Sequence, residues 1–230
     1  MDLQLAVPPA ALSPPRSRDH ELVSYVGRHG VVSIRHVMAA LGVGQASAYR
    51  RVAACIERGL LERLQLLRRE PNLLRATRAG LAYAGLGLPV PVVSPGAVDH
   101  WLRCASTAHQ LAAEFGLERV ITERELRATE RLEGRPIASA KLGELPSGHP
   151  RLHRPDLVVF AEYGVIGIEV ELTPKAPRRL LSIVRAWRGA DCISEIRYLC
   201  EPGATRRAVD LAIDKTYASP KVRAFEVVAR

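Results

Sequence analysis

Two neighbouring stretches decide the fold of the second half of the chain: His153-Arg-Pro-Asp-Leu-Val-Val-Phe160 and Ile168-Glu-Val-Glu-Leu-Thr-Pro-Lys175. Both contain apolar runs of strand length, and the polar segment Ala161-Glu-Tyr-Gly164 between them predicts a hairpin turn. Because side chains in a strand alternate between its two faces, Glu169 and Glu171 point the same way. The sequence therefore predicts two paired strands that carry acidic residues on one face.

The paired strands bring three carboxylates together, because Asp156 opens the first strand and Glu169 and Glu171 lie on the second. Such a cluster repels itself unless a cation lies among its members. Hard oxygen ligands suit Mg²⁺ or Mn²⁺, and metal-assisted phosphodiester hydrolysis is the chemistry usually built on them. The alternative for a Glu-x-Glu pattern is one solvated strand face. The strongly apolar neighbours favour an inner strand.

Charge and composition indicate a globular protein with a polyanionic partner. The chain has 230 residues, of which 47% are hydrophobic and 25% charged, enough for one large or two small domains. Its net charge is +9 and its pI about 9.9. The excess is uneven, since residues 1–95 carry 12 Lys/Arg against 6 Asp/Glu and the remainder carries 21 against 18.

The four cysteines are widely spaced and form no Cys-x-x-Cys pair, so we expect reduced thiols rather than a zinc ribbon or a disulfide framework. The sequence has no apolar run of about 18 residues, which predicts no transmembrane helix and no membrane partner. It also lacks a basic segment followed by an apolar core at its start, which predicts no signal peptide. We expect a cytoplasmic protein.

The N-terminal part of the chain has the pattern of a winged helix-turn-helix. Residues 1–17 are rich in proline and predict a disordered arm. Residues 18–88 predict a DNA-binding domain, with Asp19 capping a first helix, Ser33 capping a second and Gly59 ending a third. Residues 60–77 then predict a β-hairpin with a charged tip, followed by another helix.

The third predicted helix, residues 45–58, is the candidate reader of DNA. Its exposed face and N-terminal half carry Gln45, Ser47 and Arg50, the position from which such helices contact bases in the major groove. The residues expected to meet phosphates from the flank and the wing are Arg51, Arg68, Arg69 and Arg75. The alternatives are an ordinary surface helix and a winged helix used for protein contacts.

Residues 89–98 predict a linker, and residues 99–230 a second domain. Its pattern is a helix (99–116), a short strand (120–121), a long polar loop (129–154), the acidic hairpin, a helix (177–189), a strand (196–200), a helix (204–214) and a strand (222–228). The predicted fold class is therefore α+β: a winged helix followed by an α/β/α domain with a mixed central sheet.

The second domain resembles the PD-(D/E)XK nuclease-like superfamily in Pro155-Asp156, Glu169-Val170-Glu171 and the following helix. The resemblance implies a restriction-endonuclease-like fold in which Asp156 and Glu169 bind Mg²⁺ or Mn²⁺. The third motif position is usually a lysine that positions the attacking water, and here it is Glu171. Lys175, four residues later, is the candidate for the missing positive charge. Among three acids that could complete the metal site, Glu123 is favoured over Glu125 and Glu114.

Over about residues 19–228 the layout also resembles proteins labelled replication-relaxation. In these a winged helix precedes a domain with a His-x-x-Asp-type strand and a Glu-Val-Glu-Leu-x-x-Lys stretch. This resemblance implies a DNA-binding protein of a plasmid, phage or other mobile element with a metal-dependent nuclease-like domain, acting in DNA replication, transfer or processing. If that domain is active, it is a Mg²⁺-dependent DNA endonuclease. The expected partner is double-stranded DNA, bound by a homodimer on an inverted repeat. The alternative is a non-catalytic transcriptional regulator or accessory factor whose C-terminal domain dimerises or recruits a partner.

Overall fold

The computed structural model describes residues 17–66 and 73–227. Within these ranges the chain is an α+β protein with eight α-helices and a mixed five-stranded sheet, beside a three-stranded and a two-stranded sheet. The α+β class predicted from the sequence is confirmed. The predicted arm falls outside the described residues except for Ser17, and so do Arg68 and Arg69 with the tip of the first hairpin.

The N-terminal unit contains four helices and three short strands. They are α1 (Arg18–His29), β1 (Val32–Ser33), α2 (Ile34–Leu41), α3 (Gln45–Glu57), β2 (Leu61–Leu64), β3 (Leu73–Ala76) and α4 (Arg78–Tyr83). The strands form an antiparallel sheet in the order β1-β3-β2. Its core combines α1, α3 and the sheet through Leu22, Val26, Val52, Cys55 and Leu74.

Local signals explain most helix ends in this unit. The hydroxyl of Ser17, not the carboxylate of Asp19, caps α1 by accepting a hydrogen bond from the His20 amide at 3.2 Å. Gly42 ends α2 in the left-handed conformation, with φ 60°, which glycine adopts without steric cost. The Asp19 carboxylate instead pairs with Arg58 at 3.0 Å.

The C-terminal unit contains the other helices and strands. They are α5 (Val98–Phe115), β4 (Val120–Thr122), α6 (Glu123–Glu133), β5 (Ala140–Glu144), β6 (Pro150–His153), β7 (Leu157–Ala161), β8 (Gly164–Glu171), α7 (Pro177–Arg188), β9 (Glu195–Cys200), α8 (Ala204–Thr216) and β10 (Val222–Glu226). The predicted loop over 129–154 is wrong, because α6 continues to Glu133 and β5 pairs with β6. In that hairpin Ala140 is buried, Leu142 packs against the core and four residues are exposed, so its sequence carries little apolar alternation.

The five-stranded sheet has the order β10-β9-β8-β7-β4. Strands β8, β9 and β10 are parallel, whereas β7 runs antiparallel to both β8 and β4. The hairpin predicted from the acidic stretches is confirmed, with Leu157 opposite Ile168 and Ala161 opposite Gly164. Helix α5 covers one face of the sheet, and helices α7 and α8 cover the other.

The two units are joined by specific contacts as well as by residues 84–97. Arg28 on α1 forms an ion pair with Glu125 on α6 at 2.6 Å. His36 on α2 lies 3.0 Å from both the Leu102 carbonyl and the Ser106 hydroxyl of α5. Nowhere in residues 17–66 and 73–227 is a helix both long enough and apolar enough to cross a membrane.

Candidate functional site

Asp156 is fixed at the start of β7 by contacts with the neighbouring strand β8 and with helix α5. One carboxylate oxygen accepts a hydrogen bond from the Val170 amide of β8 at 2.7 Å. The other lies 3.0 Å from His100 Nε2 on α5, and the side chain is 17% exposed. The bond to Val170 holds the Asp156 carboxylate against the segment of β8 that carries Glu169 and Glu171. The acidic residues of the two strands therefore lie at the same end of the β7–β8 pair. Among the described residues, however, neither Glu171 nor Glu123 joins Asp156 and Glu169 in a group of three whose ligand atoms all lie within 4.8 Å of one another.

Glu169 is buried on the sheet face covered by α7, with a relative exposure of 3%. Its Oε1 accepts a hydrogen bond from Trp187 Nε1 at 2.9 Å and lies 2.7 Å from His153 Nε2. A buried carboxylate persists only with such partners, because desolvation of an unpaired charge is costly. The alternation predicted for β8 is confirmed, since Ile166, Ile168 and Val170 belong to the core cluster on the opposite face.

Glu171 ends β8 and pairs with Lys175 in the segment between β8 and α7. Burial raises the pKa of Glu171; the hydrogen bond and charge of Lys175 oppose that rise, and the charges of Glu169 and Asp156 add to it. The same Lys175 charge acts to lower the pKa of both His100 and His153. The ammonium group of Lys175 therefore contacts Glu171, and its charge also acts on His100 and His153.

Two histidines that were not among the predicted site residues are part of this cluster. The hydrogen bond to Asp156 raises the pKa of His100, and burial only partly opposes this rise. Burial acts to lower the pKa of His153, but the charge and hydrogen bond of Glu169 outweigh it and the net pKa is raised. Each carboxylate thus favours the charged form of its histidine. His153 lies just before Asp156 in the quoted stretch, which is a signal that sequence reasoning can use.

Tyr198 on β9 pairs in register with Glu169, and its ring is 1% exposed. Its hydroxyl is buried and lacks a hydrogen-bond partner among the described residues. Burial raises the pKa of Tyr198 well above its usual value, and the charges of Glu169, Glu171 and Asp156 raise it further. A buried hydroxyl near carboxylates normally has a hydrogen-bond partner. Because the described residues provide none for Tyr198, a bound water or ion is the partner we expect.

Glu123, the acid predicted to complete the metal site, lies at the start of α6. Its amide donates a hydrogen bond to the Asp156 carbonyl at 2.9 Å, and its carboxylate forms an ion pair with Arg127. A cavity of about 50 Å³ separates it from Asp156, His100 and α5. Glu125 instead pairs with Arg28 and accepts a hydrogen bond from the Thr122 amide at 2.9 Å, so its role is structural.

The predicted DNA-binding residues of α3 differ in exposure. Gln45 and Arg50 are exposed at the N-terminal half of the helix, and Ser47 is half-buried. Arg51 is half-buried and lies 3.8 Å from the Asp19 carboxylate, which partly neutralises it. Arg75 of β3 is similarly paired with Glu62. Arg50 is therefore the cation of α3 with the freest access to solvent.

No protein-family model matches the chain, and no curated protein is significantly similar to it.

Proposed function

We propose that the chain is a DNA-binding protein with a divalent-metal-dependent, nuclease-like C-terminal unit. One observation carries the proposal: Asp156 at the start of β7 is tied to the segment of β8 that carries Glu169 and Glu171, and the Lys175 ammonium pairs with Glu171. Clustered carboxylates on adjacent strands with a neighbouring lysine are suited to binding a cation and stabilising a phosphodiester transition state.

The connectivity of the C-terminal unit supports the proposed PD-(D/E)XK relationship. A helix precedes an antiparallel run of strands β4, β7 and β8, and α7 then connects β8 to the parallel strand β9. That is the order expected from the resemblance, with the acidic residues on the two adjacent strands. We assign the same architecture to residues 99–230, following a linker at 89–98.

The donor set fits Mg²⁺ or Mn²⁺, both of which take carboxylate oxygens. Asp156 and Glu169 would hold the ion, with Glu123 at the border of the cavity. A bound ion would polarise a phosphodiester and lower the pKa of a water. Lys175, which pairs with Glu171, would orient the water or stabilise the negative charge of the phosphate. In the structure His100 contacts Asp156 and His153 contacts Glu169. When an ion binds these carboxylates, the two imidazoles must either move away or remain as neutral neighbours.

The N-terminal unit supports the DNA-binding half of the proposal. Three helices, a turn between α2 and α3, and the antiparallel sheet that follows are the parts of a winged helix-turn-helix. On this assignment Gln45, Ser47 and Arg50 read bases in the major groove. Arg51 and the wing residues Arg68 and Arg69 contact phosphates, and a homodimer binds an inverted repeat. The link to a plasmid, phage or other mobile element rests on the sequence resemblance alone.

A second function is favoured by the pairing of the carboxylates with cations. Asp156 contacts His100, Glu169 contacts His153 and Glu171 contacts Lys175. A cluster neutralised in this way is stable without a metal ion, as in a scaffold that has lost catalysis. The chain would then be a winged-helix regulator or accessory factor that uses residues 99–230 for dimerisation or partner binding.

The test incubates supercoiled plasmid with the purified chain in Mg²⁺ and in Mn²⁺. Glu169→Gln removes the charge but keeps an oxygen to accept from Trp187, and Glu162→Gln is the matched control at an exposed carboxylate paired with Arg119. We expect metal-dependent nicking by the wild type and the control, and its loss in Glu169→Gln. Intact plasmid with a clear mobility shift refutes the nuclease assignment and leaves the regulator; nicking that survives Glu169→Gln refutes the site.

A further inference from the structure

Helix α5 brings two ligand types that Mg²⁺ does not favour to the edge of the acidic cluster. His100 and Cys104 are four residues apart, so they lie on one face of the helix, one turn from each other. His100 Nε2, Cys104 Sγ and an Asp156 carboxylate oxygen all lie within 4.8 Å of one another. Helix α5 and the start of strand β7 thus bring nitrogen, sulfur and oxygen donors close together.

The separations match those of a tetrahedral metal site. His100 Nε2 lies 3.0 Å from Asp156 Oδ1 and 3.5 Å from Cys104 Sγ. Ligands bound to zinc at about 2.0–2.3 Å in a tetrahedron are roughly 3.3–3.6 Å from each other. The third separation, between Cys104 Sγ and the Asp156 carboxylate oxygen, is within 4.8 Å, so adjustment of the side chains alone would bring the three ligands around one ion.

We infer that His100, Cys104 and Asp156 form a binding site for Zn²⁺ or a transition metal of similar preference. Imidazole and thiolate ligands select such metals, whereas Mg²⁺ prefers oxygen alone. The cavity of about 50 Å³ beside the triad leaves room for a water as the fourth ligand, and Glu123 lines that cavity. The His100 side chain is 41% exposed, which gives an ion a path from solvent.

This site shares Asp156 with the proposed Mg²⁺ site, and Glu123 borders both. It needs His100 and Cys104 but not Glu169, whereas the nuclease proposal needs Glu169 and has no use for Cys104. The two assignments therefore fail independently. Because they share Asp156, an ion on the triad would compete with Mg²⁺.

The test is a Co²⁺ titration of the full chain after removal of metals with a chelator, since Co²⁺ reports thiolate ligation by a charge-transfer absorption band. We expect about one Co²⁺ per chain, displaced by Zn²⁺. Cys104→Ser should abolish the band, and His100→Gln should weaken Co²⁺ binding at least about tenfold. Cys192→Ser is the matched control, because the Cys192 thiol instead contacts the Ser139 carbonyl.

The Glu169→Gln variant separates the two metal proposals. We expect it to keep the cobalt band while losing Mg²⁺-dependent nicking, and Cys104→Ser to show the reverse. Far-ultraviolet circular dichroism establishes that each variant is folded. A wild type without a charge-transfer band, or a band that persists in folded Cys104→Ser, overturns the inference.

Discussion

Glu130 provides the clearest test of how the structure holds the acidic strands in place. It is a buried carboxylate on α6, 4% exposed, that joins three elements. One oxygen accepts hydrogen bonds from the Ile137 amide at 2.9 Å and the Ser139 hydroxyl at 2.6 Å. The other pairs with Arg154 Nε at 2.7 Å, two residues before Asp156. Glu130→Ala therefore removes the anchor of the segment that leads into β7.

The magnitude follows from the burial of both partners. The side chains of Glu130 and Arg154 are 2% and 19% exposed, so truncation leaves a largely buried guanidinium and several amides without acceptors. Breaking a buried ion pair from one side costs about 3–5 kcal/mol. For a chain of this size that loss corresponds to roughly 6–20 °C in Tm.

The assay is urea unfolding followed by circular dichroism and by the fluorescence of Trp187, which is fully buried. Glu133→Ala is the matched control, because Glu133 lies on the same helix but pairs with Arg135 at the surface. An exposed pair contributes about 0–1 kcal/mol. A Glu130→Ala variant that loses no more stability than Glu133→Ala would refute the role assigned to this network.

Two further predictions concern DNA reading and pH. Arg50→Ala should weaken binding to a duplex selected from a random pool by about 1–3 kcal/mol in fluorescence anisotropy, with the exposed Arg223→Ala as control; an equal loss on unrelated duplexes would contradict base reading. Burial, the largest cause, and the Arg28 charge, the second, lower the pKa of His29 from 6.5 to about 3. Between these pH values the unfolded state therefore binds a proton at His29 that the folded state does not bind, and stability falls as pH drops from about 6.5 towards 3. His29→Leu should remove roughly 1.4 kcal/mol per pH unit from that slope, and an unchanged slope in urea unfolding would contradict it.

The acidic hairpin and the third helix could be predicted from local sequence because their signals are local. The apolar runs, the polar turn at 161–164 and the alternation of Glu169 and Glu171 all hold in β7 and β8. Gln45 begins α3 and Gly59 follows its end with a positive φ of 68°. In each case the deciding residues lie within a few positions of one another.

The remainder of the site depends on contacts between distant segments. The His100–Asp156 contact spans 56 residues and the Glu130–Arg154 pair spans 24, and no periodicity reports either. The spacing of His100 and Cys104 could have marked them as neighbours on one helix face, but not their third partner. The hairpin of β5 and β6 was missed because Ala140 is its one buried strand residue, so its strands lack a full alternation of apolar and polar residues.

If Asp156 and Glu169 together hold a divalent cation, Mn²⁺ should occupy the same place, and electron paramagnetic resonance counts the bound Mn²⁺ ions. We expect one site per wild-type chain, retained in Glu162→Gln and Cys104→Ser and weakened at least about tenfold in Asp156→Asn and Glu169→Gln. Equal Mn²⁺ affinity in the wild type, Asp156→Asn and Glu169→Gln would contradict the claim.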